Sequence, residues 1–380
     1  MKNKHIWIGI GIIIIILALV FAGRNRESTE KTIKIGNILF MTGPLAALGE
    51  QELNGMKLAE GHINAAGGVK GTPIEIVTRD YGGDSKQAVS AFELFKSEGF
   101  KFVLIDGGSA IGPVAPLVRQ TDMLSMVPIG VTHSYFDDNP KTCRIALTTK
   151  DYGVGLSGFL AQKFTSPRVS FLVTANEYGK AIQAEVARAI IEHGGSIVLV
   201  ETYDQASSDF RTQITRIKAE DARTDALVVI NATNSVEPMF RQLKQLGFNK
   251  QIVADTFTVN NHSLKDVTLV DRVAFVDYPL SSNPVDTDSS QLADMKKEYF
   301  SKHGSYPSAT AINAYDAVMV LAQAMDKAHE LTPTSVSQYL TTSLGEYKGV
   351  SGTFSFNSDC ETKREMVVRE MVGGKLEVVK

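Results

Sequence analysis

The chain of 380 residues is close to neutral, with 39 lysine and arginine residues against 42 aspartate and glutamate residues. It has no basic excess that could neutralise phosphates, so we expect no nucleic-acid partner. A composition of 43% hydrophobic and 21% charged residues is typical of a globular protein, and the length predicts roughly two domains.

The first thirty residues differ from the rest. Two lysines precede an uncharged apolar run over residues 6–22, IWIGIGIIIIILALVFA, and two arginines follow it. This pattern is typical of an export signal, and the run is also close to the roughly 17 residues that can span a bilayer. We therefore predict that residues 1–30 are a signal peptide or an N-terminal transmembrane anchor, and that the remainder lies outside the cytoplasm.

Cys143 and Cys360 are the only cysteines, and both follow this segment. In an exported protein two cysteines can form one disulfide. These two are far apart in the chain, so a disulfide requires the C-terminal strand to fold back beside Cys143. Two buried free thiols are the alternative.

From Ile33 onward, short β-branched runs alternate with amphipathic stretches, which is the pattern of parallel sheets with crossover helices. The first series has strands over 33–40, 74–80, 101–106 and 124–129, and helices over about 50–66, 85–98 and 112–122. The second has strands over 168–174, 196–203, 226–231, 251–255 and 272–278, and helices over about 153–165, 178–193, 207–220 and 235–246.

After Tyr278 the pattern changes. Helices are predicted over about 289–302, 308–329 and 333–343. The chain then ends in strand-like segments with a hairpin around Gly373-Gly374. The order predicts an α/β fold of two lobes connected by several crossings.

Gly153, Gly155 and Gly158 have the G-x-G-x-x-G spacing of a dinucleotide-binding turn. In that turn an apolar strand leads directly into the first glycine. Here five polar or partly polar residues, 148–152, come between. We therefore interpret the glycines as permissive residues in a linker and at a helix start, and expect no cofactor. No catalytic motif or metal-ligand spacing is present in the sequence, so we expect no enzymatic activity.

The most informative stretch is DGGSAIGPVAPLV, residues 106–118. A strand ends here in Gly107-Gly108-Ser109, and Pro113 suits the first turn of the next helix. Free backbone N–H groups and the Ser109 hydroxyl would then point beyond the strand, where a ligand carboxylate could bind. Simple capping of the helix is the alternative role for Ser109.

Several phrases in order resemble the type I periplasmic solute-binding proteins of the branched-chain amino acid-binding (Leu/Ile/Val-binding protein-like) family of ABC importers. The resemblance covers about residues 32–380. Its most specific phrase is IKIGNILFMTGPLAALGEQELNGMKLAEGHINAAGGVKGTPIEIVTRDYGGDSKQAV, and GGSA, VPIGVT, NEYGKA and FRQLKQLGF follow.

The resemblance implies two Rossmann-like lobes joined by three hinge crossings, which close over a small ligand. Lobe 1 would comprise about residues 32–150 plus 281–345, and lobe 2 about residues 151–280 plus 346–380. The phrase RIALTTKDY, residues 144–152, would then be a hinge strand.

The resemblance also implies a ligand site. In the family, a serine after the third strand and the loop after the next strand hold the ligand's α-carboxylate. The matching positions in this sequence are Ser109, Ala110, Ile129, Gly130 and Thr132. In the second lobe, Tyr178 matches an aromatic residue of a Y-G motif and Asn234 lies in a strand-end loop.

One position departs from the family pattern. Amino acid-binding members usually place an acidic side chain where this sequence has Thr256, with Asp255 adjacent. A buried ammonium group without a counter-charge is unfavourable. Either a shift of one residue brings Asp255 into the cleft, or the ligand carries no α-ammonium group. Amides and small organic acids are therefore alternatives to the amino acids that the family favours.

The function that the resemblance implies is an extracytoplasmic receptor, in the periplasm or at the cell surface, secreted or anchored. It would capture a branched-chain or other amino acid, an amide or a small organic acid and deliver it to an ABC permease and ATPase complex. We expect a monomer without cofactor or metal. A ligand-sensing module that regulates a membrane kinase or a cell-wall enzyme is the alternative.

Overall fold

A computed structural model describes residues 32–43, 45–129, 136, 138–231, 233, 235–259, 264–279 and 288–379. The predicted signal peptide or anchor lies outside these residues. Within them, none of the helices combines the length and the apolar character needed to cross a membrane.

The first large sheet is parallel and has the strand order β2-β1-β3-β4-β5. Its strands are β1 (Ile33–Leu39), β2 (Ile74–Asp80), β3 (Phe102–Ile105), β4 (Leu124–Val127) and β5 (Thr142–Arg144). The helices that connect them are α1 (Ala46–Ala65), α2 (Ser85–Ser97) and α3 (Gly108–Arg119). Every residue of β3, β4 and β5 is buried, as expected for parallel strands that are covered on both faces.

The second large sheet has the order β15-β14-β10-β9-β8-β6-β7. Its strands are β6 (Arg168–Thr174), β7 (Ser196–Tyr203), β8 (Ala226–Ile230), β9 (Gln251–Ala254), β10 (Val273–Asp277), β14 (Val367–Val372) and β15 (Lys375–Val378). Its helices are α4 (Thr149–Lys163), α5 (Glu177–Glu192), α6 (Arg211–Ala219), α7 (Val236–Gln245) and α8 (Thr256–Val259). Strands β6 to β10 are parallel, and the terminal hairpin β14–β15 joins β10 in an antiparallel manner.

Between β10 and the terminal hairpin lie three further helices and a small antiparallel sheet. The helices are α9 (Ser290–His303), α10 (Ala309–Lys327) and α11 (Pro333–Gln338), which continues as a π-helix over Tyr339–Ser343. The small sheet consists of β11 (Tyr347–Gly349), β12 (Gly352–Phe356) and β13 (Thr362–Arg364). Because α10 packs along α1, these helices belong to the first lobe, and the chain passes between the large sheets three times.

The predicted α/β class with two lobes is confirmed. Four helix starts, those of α1, α3, α4 and α6, lie four residues from the predicted ones, and two of these differences change an interpretation. Helix α3 begins at Gly108, so Pro113 lies inside it rather than in its first turn. Helix α4 begins at Thr149, so the second half of RIALTTKDY is helical and not a strand. The Thr148 hydroxyl accepts a hydrogen bond from Asp151 N at 3.1 Å, and Thr148 N donates to Asp151 Oδ2 at 2.6 Å. This capping box fixes the helix start.

The three spaced glycines therefore lie inside α4, and not in a linker or at the helix start. A Cβ on Gly153 would lie 3.0 Å from the Glu185 carbonyl oxygen of α5, and a Cβ on Gly155 would lie 2.4 Å from Cγ2 of Val276 in β10. Their lack of a side chain lets α4 approach its neighbours closely. No turn for a pyrophosphate exists at this position.

Alanine substitutions should distinguish two of these glycines. Gly155→Ala is expected to lower the free energy of unfolding by about 1–3 kcal/mol, because its Cβ overlaps with Val276. A Cβ on Gly158 meets no atom within 4 Å, so Gly158→Ala should raise the free energy of unfolding by about 0.5–1 kcal/mol through helix propensity. Urea unfolding of both variants tests this, and changes of the same sign would contradict it.

One arginine contacts the first two connections between the lobes and stands at the start of the third, because Arg364 is the last residue of β13 and β14 begins at Val367. Arg364 donates from Nη1 to the Ile145 carbonyl oxygen and from Nη2 to the Ser351 carbonyl oxygen, both at 2.6 Å. Its guanidinium group also lies 4.6 Å from the centre of the Tyr278 ring. The connections after β5, after β10 and before β14 are thus held at one point.

Beside this point, β5 is tied to the segment after β12. Of the two cysteine states that the sequence left open, the structure contains the disulfide between Cys143 and Cys360. The next residues form a buried ion pair, with Arg144 Nη2 at 2.6 Å from Glu361 Oε1. The Arg144 guanidinium group also lies 4.2 Å from the centre of the Phe136 ring. The C-terminal region does fold back beside Cys143, as the disulfide requires.

Candidate functional site

A cavity lies where the strands of both large sheets end. The residues that line it follow the carboxyl ends of β1, β3 and β4 in the first lobe and of β6, β7, β8 and β9 in the second. In open parallel sheets this edge is where ligands bind. Including its opening to solvent, the space is about 700 Å³. Its lining residues are Phe40, Leu45, Leu48, Glu52, Asp106, Gly107, Gly108, Ile111, Ile129, Asn176, Tyr178, Gln205, Thr233 and Phe257.

The cavity continues outward into a wider cleft. This outer cleft shares Phe40, Gly107 and Tyr178 with the cavity and adds Ser109 from the first lobe and Lys180 from the second. Both lobes therefore contribute to one continuous site, with an apolar inner part and a more polar mouth.

Tyr178 occupies a central position in this site. It lies in the first turn of α5, whose N-cap Asn176 accepts a hydrogen bond from Gly179 N at 2.9 Å. Its ring meets the Phe257 ring edge to face, with the centres 5.8 Å apart. Its hydroxyl donates to Asp255 Oδ2 at 2.7 Å. The ring can therefore form one wall of the cavity in a fixed orientation.

Asp255 lies behind Tyr178 and is not among the residues that line the cavity or the outer cleft. It is fully buried, and its Oδ1 accepts a hydrogen bond from Thr258 N at 2.6 Å. Burial raises the pKa of Asp255 to about 6, although the hydrogen bonds from Thr258 and Tyr178 lower it. In this structure its visible role is to position Tyr178.

Thr256 is also turned away from the cavity. It is buried, and its hydroxyl donates to Asp277 Oδ1 at 2.9 Å. The residue of this segment that lines the cavity is Phe257. In the sequence, the family's acidic position of the second lobe falls at Asp255 or Thr256. Neither side chain lines the cavity, and the aromatic ring of Phe257 forms its wall there.

The predicted carboxylate site lies around the start of α3. Ser109 lines the outer cleft, and its hydroxyl is 3.3 Å from the Tyr81 hydroxyl. Ala110 is buried in the core of the first lobe, and Ile129 lines the cavity. Gly107 has φ +86°, and a Cβ there would lie 2.2 Å from the Tyr81 hydroxyl, so this turn requires glycine.

Three predicted site residues, Gly130, Thr132 and Asn234, lie outside the described residues. They remain predictions that rest on the family resemblance. Their described chain neighbours Ile129 and Thr233 both line the cavity.

Glu52 and Asp106 are two cavity residues that sequence reasoning missed. Both are buried, and their carboxyl groups lie together at the inner wall. Burial raises the pKa of both groups, and the charge of Asp106 raises that of Glu52 further. A signal was present in the sequence, because Glu52 falls on the buried stripe of α1 between Gly49 and Met56. An acidic residue at such a position has to face either a partner or a cavity.

Comparisons with known proteins agree with this architecture. A family model described as "Periplasmic binding protein" matches residues 32–375. The Leu/Ile/Val-binding protein homolog 1 of Brucella abortus is 25% identical over 354 residues, which cover 91% of each chain. The leucine-, isoleucine-, valine-, threonine-, and alanine-binding protein of Pseudomonas aeruginosa is 23% identical over 349 residues, again 91% of each chain.

Among solved structures, LivJ of Streptococcus pneumoniae, a branched-chain amino acid transporter substrate-binding protein in complex with isoleucine, superposes with a TM-score of 0.78. It is 25% identical, and the match covers 92% of this chain and 99% of that chain. The chain belongs to the type I periplasmic binding proteins of the branched-chain amino acid family. This is a family of extracytoplasmic solute-binding proteins and not of enzymes.

Proposed function

We propose that the protein is a receptor that captures a small solute between its two lobes and delivers it to an ABC importer. The observation that carries this proposal is the single cavity formed by the carboxyl ends of seven parallel strands from both sheets. A ligand that contacts both lobes stabilises the closed arrangement over the open one. An importer can then distinguish loaded from empty receptor by shape.

The ligand that we propose first is an amino acid with an apolar side chain. The cavity offers apolar contacts from Phe40, Leu48, Ile111, Ile129 and Phe257. Relatives that match 91% of the chain are named for binding branched-chain amino acids. Other amino acids, amides and small organic acids are the alternatives within the same function.

A ligand screen tests the proposal. Thermal unfolding of the protein is followed with each of the common amino acids, their amides and small aromatic and aliphatic acids, and calorimetry gives Kd for each compound that raises Tm. Ser109→Ala should weaken the best ligand. Tyr178→Ala should weaken it about tenfold to thirtyfold, equivalent to about 1.4–2 kcal/mol, because one aromatic wall is lost. Tyr306→Ala is the matched control, since Tyr306 is exposed and lies outside the cleft.

Unchanged affinity in both cleft variants would show that the binding site is elsewhere, and the absence of any ligand would contradict the receptor function. Delivery needs a separate measurement. Uptake of the radiolabelled ligand by cells that lack the gene should fall, and should return with the wild-type gene but not with Tyr178→Ala at limiting ligand.

A further inference from the structure

The inner wall of the cavity carries two carboxyl groups side by side on the first lobe. Glu52 projects from α1, Asp106 follows β3, and both line the cavity. Glu52 is 0% exposed and Asp106 is 1% exposed. The two groups are near enough for the charge of Asp106 to raise the pKa of Glu52. Among the buried residues of α1, Glu52 is the one polar side chain, so the packing of this helix does not explain it.

The carboxyl group of Glu52 has few hydrogen-bond partners within the described part of the protein. Apart from Asp106, no donor in the described part of the chain reaches Oε1 or Oε2 of Glu52, and the same holds for Oδ2 of Asp106. Oδ1 of Asp106 accepts a hydrogen bond from Gly107 N. Buried polar groups normally have partners. A buried acid that faces a cavity without donors indicates that its partner comes with the ligand.

The charges around the cavity favour a positive partner. No lysine or arginine is among its described lining residues, and the stretch 130–135, GVTHSY, contains neither. Lys180 lines only the outer cleft. Among its described lining residues, the inner cavity therefore combines two acids with an apolar wall and contains no basic side chain.

We propose that Glu52 and Asp106 bind a cationic nitrogen of the ligand, such as a primary ammonium, amidinium or guanidinium group. The inference rests on the proposed function and narrows its ligand class to small cations and zwitterions with an apolar body. A nitrogen with several N–H groups can donate to both carboxyl groups at once. The ligand's positive end then faces the first lobe, and a carboxylate, where the ligand has one, lies toward Ser109 and the outer cleft.

Protonation should accompany this binding. Burial raises the pKa of Glu52 and of Asp106, and the neighbouring carboxyl group raises the pKa of Glu52 further. The other titratable groups near the pair are Tyr81, whose hydroxyl donates to the Asp106 carbonyl oxygen at 3.0 Å, and Asp80 beside Tyr81. The empty pair therefore holds a proton to a higher pH than a free carboxyl group does. A bound cation favours the ionised form, so binding should release protons.

The test compares compounds that differ only in their charged ends. Thermal shift and calorimetry at pH 7.5 are carried out with leucine, isoleucine and the other common amino acids. Straight and branched alkylamines, the corresponding amidines and the corresponding carboxylic acids complete the set. Calorimetry in two buffers with different ionisation enthalpies gives the number of protons released. We expect amines, amidines or amino acids to bind with proton release, and the acids that lack nitrogen not to bind.

Two cavity variants and one control variant test whether the cationic nitrogen binds at Glu52 and Asp106. Glu52→Gln and Asp106→Asn should each weaken the best nitrogen compound tenfold or more and reduce proton release. Glu50→Gln is the matched control, because Glu50 lies on the same helix but is exposed, and it should change the Kd less than twofold. Without ligand, the raised pKa values mean that the folded state binds more protons than the unfolded chain, so Tm should rise as the pH falls from about 7.5 to about 5. Both cavity variants should reduce this rise.

The possible results separate the two proposals. If nitrogen compounds bind and Glu52→Gln weakens them selectively, both proposals are supported. If wild-type protein binds carboxylic acids, or if Glu52→Gln and Asp106→Asn bind the best compound as tightly as Glu50→Gln does, the cationic site is wrong and the receptor function stands. If no compound of either charge binds the wild-type protein, both proposals are overturned.

Discussion

Replacing Glu361 by alanine is expected to lower the free energy of unfolding by about 3–5 kcal/mol. The side chain of its partner Arg144 is 0% exposed, and the two charges meet at 2.6 Å. Without the carboxylate, the buried guanidinium charge loses this close counter-charge. The cation–π contact of Arg144 with the Phe136 ring remains in the variant, is worth about 2 kcal/mol or more when desolvated, and offsets only part of the lost ion pair.

Denaturant unfolding with the disulfide intact measures this change. Glu185→Ala is the control, since it removes an ion pair with Arg188 that is partly exposed on both sides and should cost less than about 1 kcal/mol. Combining Glu361→Ala with Arg144→Met removes both charges of the pair, so the double variant should be more stable than Glu361→Ala alone. A loss in Glu361→Ala no larger than in the control would contradict the buried-charge explanation.

Removing the disulfide should have an effect of similar size. Cys143→Ser combined with Cys360→Ser is expected to lower the free energy of unfolding by about 2–5 kcal/mol. The bridge joins residues 217 positions apart, so it constrains most of the second lobe in the unfolded chain. The lower free energy of unfolding should come mainly from the higher conformational entropy of the unfolded chain without the bridge. How the effect divides between entropy and enthalpy depends on the thermodynamic model.

Reductant provides the matched experiment. Dithiothreitol should lower the Tm of wild-type protein toward that of the double serine variant and should leave that variant unchanged. A wild-type Tm that does not respond to complete reduction, verified by thiol titration, would falsify the prediction. Because the bridge and the Arg144–Glu361 pair are adjacent, their losses are not expected to add.

The strands were predicted well because their signal is local. Runs such as RVSFLVT over Arg168–Thr174 are apolar and β-branched, and the structure has the same bounds. The predicted start of helix α3 lies four residues after the observed one. Gly107 and Gly108 are atypical of a helix start, and Pro113 is typical of a first turn. Glycine and proline indicate an interruption, whereas here tertiary packing extends the helix through them.

The site was predicted less completely. Tyr178 and Ile129 line the cavity and Ser109 lines its mouth, and their contact with a ligand stays a prediction. The direction in which Asp255 and Thr256 point depends on the short helix α8, which a strand pattern cannot specify. The Glu52–Asp106 pair joins residues from two elements, and no sequence spacing shows that α1 and the end of β3 meet.

The contacts of Arg364 have a mechanical consequence for this molecule. Its guanidinium group binds the Ile145 carbonyl oxygen after β5 and lies 4.6 Å from the centre of the Tyr278 ring after β10, and its own backbone leads into the connection before β14. No connection can slide past the others unless one of these contacts breaks, so independent bending of the three is disfavoured. We expect relative movement of the lobes to follow mainly one coordinate, a rotation about an axis near Arg364. Movement along one such coordinate opens or shuts the cleft as a whole, rather than one edge at a time.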